Sequence, residues 1–172
     1  MAISRITDKL EKLYFTRNLF SEIVNTCKQH YPQYTRGLIT SKGNPMEPTK
    51  VYFFEDNLRS KDDVFEEYFE KFGPYYKKHK GFVTNPTELV TIENEISRNK
   101  ETICGIFHVH IDFPACPTKL DIETFSQTVL DTENIWYLII SFLIPEELDV
   151  RAFWINNKLI REIEIIIKEV GE

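Results

Sequence analysis

Strand-like and helix-like segments alternate along the 172-residue chain, and their order limits the fold more than any other feature of the sequence. Residues 17–30 put Leu19, Phe20, Ile23, Val24 and Cys27 on one helical stripe, which Pro32 stops. Residues 3–14 fit a short helix or a strand equally. Gly37–Ser41 and Thr49–Glu55 read as strands, joined through the turn signal Lys42-Gly43-Asn44-Pro45 into a hairpin. A helix is expected over residues 61–72, with Asp62 and Asp63 near its start and Phe65, Tyr68, Phe69 and Phe72 on one face. Gly73-Pro74 ends it, and Tyr75 to Lys80 continue as a basic, aromatic stretch. Phe82-Val83-Thr84 is a candidate short strand. Asn85 then caps a helix that has Pro86 at its first position and runs to about Asn99. Ile103–His110 is a strand that ends in two histidines, and a Pro-rich loop follows it. Thr118 caps the next helix, with Asp121 three residues on, and this helix reaches about Leu130. Ile135–Leu143, Val150–Ile155 and Leu159–Lys168 close the chain as strands. The fold class is α+β or mixed α/β, in one domain spanning 1–172.

Hydrophobic residues are 42% and charged residues 28%, the balance of a globular chain rather than a disordered one. Lys plus Arg is 21 and Asp plus Glu is 27, so the net charge is 21 − 27 = −6, which weighs against a nucleic-acid partner. The longest apolar run, Ile135–Ile144 with an interruption at Ser141, falls far short of the ~20 residues that span a bilayer. The first eight residues hold no apolar stretch of the secretory kind. Cysteines number 3, widely spaced and without a C-x-x-C, so reduced thiols and a cytoplasmic location are expected. Cys27 and Cys104 lie on apolar faces and read as core residues. The 13 Phe and 8 Tyr point to a well-filled core or an apolar surface for a partner.

The chemistry concentrates between His108 and Asp121. Residues i and i+2 of a strand share a face, so His108 and His110 present two imidazoles to one side. The loop returns the chain as a helix with Asp121 in its first turn. That carboxylate serves either as a helix cap alone or as a third metal ligand. Two imidazoles and one carboxylate would leave a fourth tetrahedral position open, the pattern of a catalytic zinc site.

The spacing H-x-H-x7-[S/T]-x2-D, carried here by His108, His110, Thr118 and Asp121, resembles the signature of the JAMM (MPN-type) zinc metalloproteases. The loop Asp112-Phe113-Pro114-Ala115-Cys116-Pro117 looks like that of prokaryotic members that process ubiquitin-like or sulfur-carrier proteins. The resemblance covers about residues 15–168. It implies a cytidine-deaminase-like mixed sheet flanked by helices. It also implies Zn2+ as cofactor, and hydrolysis of an amide or isopeptide bond at the C-terminal tail of a ubiquitin-like partner. Thr118 takes the place of the family serine, whose hydroxyl bonds the oxyanion.

The same resemblance exposes a departure. The family's general-base glutamate belongs three residues before Gly37, where this chain has Tyr34, with Gln33 beside it. A phenol of pKa about 10 is a poor base at neutral pH. Glu55 is the candidate for a relocated base, if the hairpin brings it opposite residue 34, and Glu22 is a weaker one. The alternative is a catalytically impaired, MPN-like protein-binding module. Cys116 is a candidate fourth ligand or redox-sensitive thiol, although a loop running as in the family turns it away. Residues 58–80 look like a helical insertion, and its aromatic stripe serves either core packing or a partner surface. Lys77, Lys78 and Lys80 read as a solvated helix end, and His30 and His79 as solvated side chains.

Overall fold

The computed structural model describes residues 11–61, 63–78, 81–126, 135–156 and 159–169. Among these described residues, seven strands form one sheet, β1 (Lys12–Thr16), β2 (Arg36–Ser41), β3 (Lys50–Phe53), β4 (Thr102–Ile111), β5 (Trp136–Phe142), β6 (Asp149–Asn156) and β7 (Leu159–Lys168). Their spatial order is β1-β7-β6-β5-β4-β2-β3. The β4–β5 and β1–β7 pairs are parallel and the others antiparallel. The expected mixed α/β class stands. The undecided stretch before the first helix contains a strand, β1, which pairs in parallel with β7 from Lys12↔Glu164 to Thr16↔Lys168. The part of that expectation before residue 11 lies outside the described residues, as do residues 127–130 of the expected helix to Leu130 and His79.

Helix α1 (Arg17–His30) forms where the stripe predicts it. The Thr16 hydroxyl accepts from the Leu19 N–H at 3.3 Å, and Leu19, Ile23 and Cys27 are buried. Helix α4 (Pro86–Arg98) starts at the Asn85 cap, whose Oδ1 accepts from the Thr87 N–H at 2.9 Å. The sheet is covered on both faces. Alternate residues of β5 divide between two apolar layers. Trp136, Leu138 and Ile140 pack with Leu19, Ile23 and Cys27 of α1, whereas Tyr137 and Ile139 pack with Ile92 and Ile96 of α4. Burial pushes the Cys27 and Cys104 thiols up to about 12, in keeping with their expected core role.

The aromatic segment departs from its expected form. Among the described residues, no continuous helix spans 61–72. Instead there are short 3-10 turns at Leu58–Ser60 and Asp63–Phe65, then α2 (Glu66–Glu70) and α3 (Tyr75–Lys78). Arg59 explains the break. Its side chain is fully buried, stacks over the Phe69 ring at 4.1 Å, faces Glu66 at 3.5 Å and donates to the Tyr76 carbonyl at 3.3 Å. Wrapping one cation in this way needs a chain that folds back, and Gly73 with φ 119° permits the reversal. Asn57 clips the ends of the segment together. It accepts from the Val83 N–H at 2.9 Å and donates to the Gly81 carbonyl at 2.9 Å. The candidate strand at 82–84 is reduced to a single bridge, Asn57↔Thr84.

Gly105 lies under the indole of Trp136. A Cβ there would stand 2.3 Å from the ring. Gly105→Ala is therefore expected to lower unfolding stability by about 1–3 kcal/mol, the usual cost of overpacking. Urea unfolding followed by tryptophan fluorescence measures it.

Candidate metal centre

The centre assembles at the end of β4. Ile106 packs in the α4-side layer, so the two-residue period puts His108 and His110 on that same face, at the point where the strand runs out of apolar cover. Their Nε2 atoms are 3.0 Å apart. Helix α5 (Lys119–Ser126) brings in the acid. Asp121 Oδ1 lies 3.1 Å from His108 Nε2, and Oδ2 lies 3.3 Å from His110 Nε2. One ligand atom from each of the three residues falls within 4.8 Å of the others.

The two readings of Asp121 both hold. Its Oδ2 accepts from the Thr118 N–H at 2.7 Å and the Thr118 hydroxyl at 2.8 Å, while the Asp121 N–H donates to Thr118 Oγ1 at 3.1 Å. This is a reciprocal capping box with Asp in the usual Glu place. The same carboxylate faces both imidazoles. The Thr118 hydroxyl is thus occupied by the cap, and it also bonds the Tyr76 phenol.

The donor set fits a divalent ion. His110 Nδ1 lies 2.9 Å from the Pro114 carbonyl, which only accepts, so Nδ1 carries the proton. With Nε2 unprotonated, His110 turns that lone pair towards Asp121 Oδ2, two acceptors face to face at 3.3 Å. A cation between them relieves that opposition. Burial pushes His108 below its ordinary pKa, although Asp121 pulls the other way, which favours the neutral, ligating ring. For Asp121, burial alone would raise the pKa. Hydrogen bonds from the two histidines, and their charges whenever the rings are protonated, outweigh it and hold the carboxyl well below its usual range.

Other candidates sit elsewhere. Glu55 does not line this pocket. It is exposed, and it borders a second cleft on the far side of Tyr34, Gly81 and Phe82. The register accounts for this, since Gly37 pairs with Phe53 and the Phe54 N–H bonds the Arg36 carbonyl, so the ladder ends before Glu55. Glu22, on α1, is also absent from the pocket lining. Cys116 is exposed and outside the converging group. Tyr34 does line the pocket, and burial pushes its phenol above its ordinary value, so it stays protonated.

Four residues escaped the sequence reading. Tyr75 and Tyr76 reach the pocket from α3, and Arg36 reaches it from β2. Only Tyr34 and its neighbours before Gly37 drew attention there, so Arg36 had a signal in its position. The fourth is Ser141. Its hydroxyl donates to the Phe113 carbonyl at 2.6 Å and holds the loop whose next residue orients His110. The break at Ser141 in an otherwise apolar run was that residue's signal.

No protein-family model matches the chain, and a search of curated proteins finds none that does. Solved structures do match. A protein from Desulfitobacterium hafniense, DSY2949, is 24% identical with a TM-score of 0.64, over 91% of this chain and 92% of its own. A protein from Salinibacter ruber is 14% identical with a TM-score of 0.58, over 92% and 93%. AF2198, a JAB1/MPN domain protein from Archaeoglobus fulgidus, is 13% identical with a TM-score of 0.48, over 90% and 98%. The first two establish a shared fold.

Ser141→Ala should leave the Phe113 carbonyl unsatisfied and loosen the loop. The expected cost is about 1–3 kcal/mol of stability and, where metal binds, about 10–100-fold in affinity. Thermal melts and zinc titration of the variant check both.

Proposed function

We propose that this chain is a metal-dependent peptidase or isopeptidase of JAMM type that cleaves at the C-terminal tail of a ubiquitin-like or sulfur-carrier protein. The observation that carries the reading is the convergence of His108, His110 and Asp121 within 4.8 Å. The motif they share with Thr118 supports the narrower choice of family and substrate. A divalent ion, zinc by its fit to two imidazoles and one carboxylate, would supply Lewis acidity and lower the pKa of a water at the open position.

The chain's own groups have separable roles. Pro114 fixes the tautomer of His110. Thr118 presents a hydroxyl that can turn from the cap to a developing oxyanion. Tyr34, held neutral, donates a hydrogen bond rather than taking a proton. Among the described residues that line the pocket, Asp121 is the one carboxylate, and it is already engaged. Without a free carboxylate base, turnover should be about 10²–10⁴ slower than where one is present.

That same absence favours a second reading, a metal-holding MPN-like module that binds a protein tail without cleaving it. Metal analysis and a cleavage assay on a ubiquitin-like fusion separate the two. The hydrolase reading expects one zinc per chain, a raised melting temperature with zinc, and slow cleavage abolished by a chelator. His110→Ala should lose both zinc and cleavage, and Glu55→Gln should keep both. Bound zinc without chelator-sensitive cleavage selects the module, and no stoichiometric metal removes both readings.

A further inference from the structure

The Thr118 hydroxyl takes part in three hydrogen bonds. It donates to Asp121 Oδ2 at 2.8 Å, accepts from the Asp121 N–H at 3.1 Å and meets the Tyr76 phenol. A hydroxyl has one proton and two lone pairs. Its proton is spent on Asp121, so the phenol is the donor in the third bond. Burial raises the Tyr76 pKa, and the phenol keeps that proton at neutral pH. With both lone pairs answered, the Thr118 O–H has one direction left, towards the carboxylate. Without the phenol one lone pair is open, and the O–H can swing about its Cβ–Oγ bond.

Tyr76 belongs to the folded-back aromatic segment and not to the strand or helix that carries the ligands. Its ring stands 5.1 Å from Tyr75 and 6.1 Å from Phe72, and its carbonyl accepts from the buried Arg59 at 3.3 Å. The segment is fastened beside the site at two further points. Tyr75 donates to the Ile111 carbonyl at the end of β4, and Lys71 faces Glu123 of α5 at 3.0 Å. Gly73 (φ 119°) and Gly81 (φ 67°) flank α3 in backbone conformations that favour glycine. The cavity between this segment and the ligand group measures about 90 Å³, room for a few waters. A polypeptide tail therefore reaches the ligands only when the segment shifts, and that shift withdraws the phenol from Thr118.

We propose that Tyr76 is a positioning residue that locks the Thr118 hydroxyl onto Asp121, and that an arriving polypeptide tail frees this hydroxyl by displacing the aromatic segment. The lock itself needs neither metal nor reaction. Its release by substrate rests on the hydrolase reading above, in which Thr118 donates to the developing oxyanion. With the segment seated, the site is at rest, its hydroxyl donor present but aimed at a carboxylate.

The test compares the metal-free full-length chain with Tyr76→Phe, which deletes the phenol oxygen and keeps the ring beside Tyr75 and Phe72. In the wild type the Thr118 hydroxyl proton should give an NMR resonance that exchanges slowly with water. Loss of one neutral hydrogen bond should speed that exchange about two- to tenfold. Equal exchange in the two proteins overturns the lock. So does a wild-type hydroxyl proton that exchanges as fast as a solvated one, a measurement that stands without the variant. Cleavage of a ubiquitin-like fusion by the zinc-loaded proteins is read separately. Because the wild type breaks the phenol bond on binding, Tyr76→Phe should lower KM about two- to tenfold and leave kcat unchanged. A merely structural role for Tyr76 would lower kcat instead. Faster exchange with KM unchanged or raised overturns release by the tail and leaves the hydrolase reading intact. Absence of cleavage by both proteins removes that reading, while the exchange rates still decide the lock.

Discussion

The Asp121 carboxylate closes the first turn of α5 through Thr118 and at the same time faces both imidazoles of β4. A helix start and a ligand set therefore share one group. The cap fixes where α5 begins, and so fixes how far the acid stands from the strand. Moving the carboxylate by one helical position would break the cap and withdraw the ligand together. This coupling explains how a site built from two elements, joined by a Pro-rich loop, keeps a geometry of about hydrogen-bond length throughout.

The sheet supplies the other half of that precision. Because β5 is buried on both faces and pairs with β4 in parallel, β4 has no freedom to slip. His108 and His110 continue the period that places Ile106 in the α4-side layer. The same lattice sets Arg36 beside His108. The folded-back aromatic segment then covers the pocket from outside through Tyr75 and Tyr76, its shape set by the buried Arg59.

Much of this was legible in the sequence, for identifiable reasons. Helix α1, helix α4 and the strand ending in His-x-His carry strong periodicity or caps, and such local signals survive folding. The spacing from His108 to Asp121 was legible because one strand, one loop and one helix turn determine it. The 61–72 segment was misread because its aromatic stripe has helical spacing, while the deciding residue, Arg59, lies outside the window and acts through tertiary contact. Arg36 and Ser141 were missed for a related reason. Each matters through a partner distant in sequence, His108 for one and Phe113 for the other. Glu55 failed to reach the pocket because a hairpin ladder that stops at Phe53 cannot carry register further.

The pairing of β1 with β7 joins residues 12–16 to residues 164–168, nearly the whole chain apart. During synthesis the early strand, with Leu13 and Phe15 destined for the interior, has no strand to pair with in the sheet until β7 has been made. Long-range parallel contacts of this kind form late, and the unmatched edge is exposed to wrong associations in the meantime. The border of the sheet thus leaves β1 open to wrong associations for as long as the chain takes to extend from β1 to β7.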